Sequence, residues 1–187
     1  MTKNKSNSDL ITEIKAAFAD VRRKPLEHRA NLINYKDDCQ HRAEINRHGN
    51  PPALIEAQLH LSQVALELEE YSDSVIQSKI NQEEEAYLAT HGTTICQILS
   101  NDLSDRMAAK DSFLQNIGRR VSELSLEIFM PGRNREALQR ERDAAEQSAA
   151  DAEVMIQSAQ TAIRRLEIEP SAQSLTAAIA RVEEVTF

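Results

Sequence analysis

The chain has 187 residues, a formal net charge of -8 and an aromatic content of only 4%, with no Trp. Length allows one compact domain or one elongated helical unit. Scarce aromatics argue against a compact enzyme core with a deep pocket, and an acidic balance argues against nonspecific binding to nucleic acid or to an anionic membrane.

The polar start MTKNKSNSD lacks the apolar core of a secretion signal, and a helix is predicted over 9–47, capped by Ser6 or Ser8. Leu10, Ile14, Ala17 and Val21 form its first stripe, and Pro25 predicts a kink or short break between Arg23 and Leu26. Leu32, Tyr35 and Cys39 continue the spacing among many charges. His48-Gly49-Asn50-Pro51-Pro52 is the strongest turn signal, and a second helix is expected over 53–90. Its seam is Leu54, Ala57, Leu61, Val64, Leu68, Tyr71, Val75 and Ser78, while Ile55, Leu59 and Leu66 lie off it on a second apolar face. Residues 1–52 carry ten Lys and Arg against seven Asp and Glu, whereas 53–92 carry Lys79 against eight acids, so the two arms attract.

Thr90-His91-Gly92-Thr93-Thr94 reads as a second break, giving a third helix over 94–129. Leu103, Met107, Lys110, Leu114, Ile117, Val121, Leu124 and Ile128 follow at steps of four and three, a stripe broken only by Lys110. Such a seam demands a facing helix. Met130-Pro131-Gly132-Arg133-Asn134 ends it, and a fourth helix over 133–168 carries Leu138, Arg142, Ala145, Ala149, Ala152, Ile156, Ala159, Ile163 and Leu166. Its alanines permit close approach of a neighbouring axis. Pro170 closes this helix, and a short fifth one over 172–185 presents Leu175, Ile179 and Val182. No segment alternates as a strand does. The predicted fold is a single all-α domain over 1–187, an elongated bundle or coiled coil of long antiparallel helices with a short C-terminal helix.

Chemistry-bearing clusters are few. Cys39, His41 and His48, with Glu44 on the histidine face, suggest a metal site, but Asp38-x-x-His41 is one imperfect copy of a di-iron element and zinc lacks a fourth ligand. His91 and Cys96 straddle the expected second break without a third group to orient them. The acid runs Glu69-Glu70 and Glu83-Glu84-Glu85 read as solvent-facing surface. Arg133, Arg135, Arg140 and Arg142 open the fourth helix where an anion would sit, yet Glu136, Glu141 and Asp143 are interleaved as local ion-pair partners. Phosphate-binding and zinc-protease motifs are absent. Neither catalytic residues nor a cofactor or metal site are predicted.

The expectation is a non-enzymatic, cytoplasmic interaction or assembly protein, a scaffold, adaptor or virion assembly factor. It would bind protein, self-associate, and touch neither nucleic acid nor membrane. Interface candidates are Ile55, Leu59 and Leu66 together with Leu103, Leu114, Ile117, Val121 and Leu124. The competing reading is an acidic inhibitor or nucleic-acid mimic, whose carboxylates on the Glu56 to Glu85 segment fill the basic groove of another protein.

Overall fold

A computed structural model describes residues 5–187. It is all-α: helix takes up 88% of the described residues, and no strand occurs among them. The order is α1 (Asn7–Asn46), α2 (Pro51–Glu69), α3 (Asp73–Glu127), α4 (Arg135–Ile168) and α5 (Ala172–Glu184). The chain packs as two compact units, Lys15–Tyr87 being one and Leu88–Phe187 with the start of α1 up to Ile14 the other.

Two expected boundaries are corrected. Helix α1 is continuous through Pro25, so of the kink or short break expected there the break does not occur. Proline costs the bond to the Val21 carbonyl, but buried Phe18 and Leu32 on either side hold the helix to its neighbours. Helix α3 likewise runs through Gly92, which does not adopt the left-handed conformation of a helix-ending glycine. Gly92 costs about 1 kcal/mol, whereas burying Leu88, Ile95 and Leu99 contributes about 1.5 to 3 kcal/mol each. The actual break, at Glu70–Ser72, lies inside the helix expected over 53–90. There Glu67 and Glu69 crowd the negative end of α2, and the Ser72 carbonyl accepts the Val75 and Ile76 amides at 3.0 and 2.9 Å to start α3. The interruption shifts the seam by one residue: Ile76 and Ile80 are buried and Val75 is not.

Within the unit Lys15–Tyr87, α1 is met by α2 and by the start of α3. Phe18 lies 5.7 Å from Tyr87 between ring centroids, Arg22 pairs with Glu84, Arg29 with Asp73 at 2.5 Å, and the Tyr35 hydroxyl reaches His60 Nδ1 at 3.3 Å. Partner numbers fall as α1 numbers rise. Leu32, Cys39, Ala57 and Val64 fill the space between. Glu84 corrects the reading of its acid run as solvent-facing, because it is buried against Arg22 while Glu83 and Glu85 stay exposed.

Within the other unit, Lys110 pairs with Glu153 and Arg120 with Glu141 at 2.6 Å, again in opposite order along α3 and α4. Positive φ at Gly132 (82°) makes the turn between them, and the Asn134 side chain caps α4 by accepting the Ala137 amide at 3.2 Å. Reciprocal bonds between Ser171 and Ser174 start α5, which lies on α4 and buries Leu175, Ile179 and Val182. Arg106 holds the far end of α5, donating to the Val185 carbonyl at 3.1 Å while pairing with buried Asp102 at 2.7 Å.

Candidate functional site

On α2, three large apolar side chains are left uncovered along one face. At 100° per residue Ile55, Leu59, Ser62 and Leu66 fall within about 60° of arc, and the stripe is about 16 Å long. Ile55 is 65% exposed, Leu59 57% and Leu66 66%, while Ala57 and Val64 on the other side are buried in the seam. The one polar member, Ser62, donates its hydroxyl to the Gln58 carbonyl at 3.0 Å, so it satisfies that donor locally. Glu56, Glu67, Glu69 and Glu70 flank the stripe, all exposed and without an ion-pair partner among the described residues.

The remaining interface candidates are placed differently. Leu103 and Leu124 are buried within the chain, and Leu114, Ile117 and Val121 are half-buried. Leu103 and Leu124 are thus packed within this chain, while Leu114, Ile117 and Val121 keep part of their surface exposed. Lys110, the break in that seam, finds Glu153 on α4. On α4, Arg142 occupies a seam position with Asp143 at 3.3 Å and Glu146 at 3.6 Å, although its buried Nε makes no hydrogen bond.

A second exposed apolar group, which the sequence reading did not single out, lies at the end of α3 and in the turn after it. Leu126 is 69% exposed, Phe129 79% and Met130 51%. The signal was present: all three lie off the Leu103 to Ile128 register, immediately before Pro131-Gly132. Beyond them the basic stretch divides. Arg140 pairs with Glu136 at 3.6 Å and Arg142 with its own acids, as the interleaving implies. Arg133 and Arg135 are exposed and have no ion-pair partner among the described residues.

The cysteine and histidine clusters do not converge. Cys39 is buried, while His41, Glu44 and His48 are exposed, His41 lying about 200° around the helix from Cys39. Among the described residues no three His, Cys, Asp or Glu side chains are grouped as metal ligands would be. His91 and Cys96 lie on one uninterrupted helix, about 140° apart, His91 exposed and Cys96 buried. Burial pushes the Cys96 thiol up, and the charge of Glu167 adds to the shift, opposite to the depressed value of a nucleophilic thiolate.

No protein-family model matches this chain, and neither a curated protein nor a solved structure does. Among the described residues no helix is long and apolar enough to cross a membrane.

Proposed function

We propose that this chain is a non-enzymatic helical assembly protein, a scaffold or adaptor of the cytoplasm, that works through protein contacts and self-associates. The reading requires no metal or cofactor and no direct contact with nucleic acid or membrane. It is carried by the α2 stripe: three large aliphatic side chains in line, each more than half exposed, on a helix whose other face is already packed. Water disfavours such a stripe, and covering it with another protein surface recovers about 25 cal/mol per Å² of apolar area.

The same helix speaks against a nucleic-acid mimic. A mimic needs carboxylates spaced regularly along one exposed face, but none stands between Glu56 and Glu67, and leucines occupy that interval. The test is the solution mass by light scattering of wild type and of the double variant Leu59→Lys, Leu66→Lys. We expect the wild type to exceed the mass of one chain and the variant to fall to it with helicity retained. An unchanged mass for the variant would remove the stripe from the interface.

A further inference from the structure

Resting on the assembly reading, we infer that the chain associates head to tail with a second copy of itself: the turn between α3 and α4 of one protomer docks on the α2 stripe of the next. Each patch presents what the other lacks. The turn offers Phe129 and Met130, largely exposed, followed by Arg133 and Arg135, the only charged residues over 128–135. The stripe offers Ile55, Leu59 and Leu66, with Glu67, Glu69 and Glu70 gathered beyond its Leu66 end. Over 51–70 there is no lysine or arginine at all.

Phe129 and Met130 set on Leu59 and Leu66 remove two apolar patches from water at once, and the two arginines then reach the acids past Leu66. Unpaired charges of opposite sign beside matching apolar groups choose both partner and direction. The alternative, stripe against stripe about a two-fold axis, opposes four unpaired acids with four more and leaves Phe129 and Met130 uncovered. Because the docking surfaces differ, the contact is heterologous and adds copies in series, closing a ring or growing a filament according to the rotation per step.

Two variants, alone and mixed, test it. Arg133→Glu with Arg135→Glu spoils the turn and leaves the stripe, and Leu59→Lys with Leu66→Lys does the reverse. Sedimentation velocity should show each alone weakened roughly tenfold or more in self-association. An equimolar mixture should form a complex of two chains and no larger, since each variant supplies the surface the other has lost. Circular dichroism checks that both keep wild-type helicity, and the milder pair Arg133→Gln, Arg135→Gln serves should the charge reversal disturb the turn. A turn variant that assembles like wild type, beside a stripe variant that does not, overturns head-to-tail docking and leaves the stripe as the interface. If the wild type associates and neither variant weakens it, the assembly reading of the stripe fails too. A wild type that stays a single chain at hundreds of micromolar overturns both.

Discussion

Burial along α3 grades from fully buried Leu124 and half-buried Ile117 in the seam to exposed Glu123 off it, which lies 3.5 Å from Arg120 at the surface. An unpartnered carboxylate costs more the less water reaches it. Leu124→Asp should therefore lower stability by about 3 kcal/mol or more and Ile117→Asp by about 1 to 2 kcal/mol, with Glu123→Ala within about 0.5 kcal/mol. Urea titration ranks the three, and equal midpoints would show that the seam is not packed as described. Cys96 gives a pH dependence of definite sign. Burial holds its thiol above the ordinary 9.0, so in the folded chain it stays neutral where the unfolded chain ionises. Its contribution is complete below pH 9 and is lost as pH rises through the shifted value. Melting temperatures taken across that range should fall less steeply for Cys96→Ala than for wild type.

At the scale of elements, helix identity was legible in the sequence because steps of three and four are the physical cause of a buried helical face, and α4 and α5 lie within two residues of expectation at each end. The break expected at Gly92 was misjudged because glycine announces itself locally, while the burial that overrides it depends on neighbours far along the chain. The break at Glu70–Ser72 carries neither Gly nor Pro, only acids at a helix end and a serine ready to start the next helix. Register separates Leu59, off its seam and exposed, from Leu124, in its seam and buried, but Leu114, Ile117 and Val121 share the stripe of Leu124 and differ from it only by what packs on them. Glycine chemistry now separates two positions. An added Cβ meets nothing within 4 Å at either Gly92 or Gly132, but only Gly132 has positive φ. Gly92→Ala should stabilise the chain by about 0.5 to 1 kcal/mol and Gly132→Ala should destabilise it by about 1 kcal/mol, shifting thermal midpoints in opposite directions. A drop for Gly92→Ala would mean that α3 is interrupted there after all.

At the scale of the molecule, the core is aliphatic, and the α2 stripe and the end of α3 with its turn are two places where large apolar side chains stand exposed together, on a chain of net charge -8. Net charge of one sign resists association, so only a contact that buries apolar area and pairs local charge can succeed. Assembly of that kind leaves a thermodynamic mark. Whatever binds the folded chain and not the unfolded one raises the melting temperature by mass action, so wild-type stability should climb with protein concentration. Leu59→Lys with Leu66→Lys should abolish the climb while leaving the melting temperature of dilute protein unchanged, because both leucines already stand in water in the isolated chain. Calorimetry of wild type and variant over a hundredfold range of concentration reads both quantities. A variant that melts lower even when dilute would place those leucines in the fold of a single chain, against their exposure.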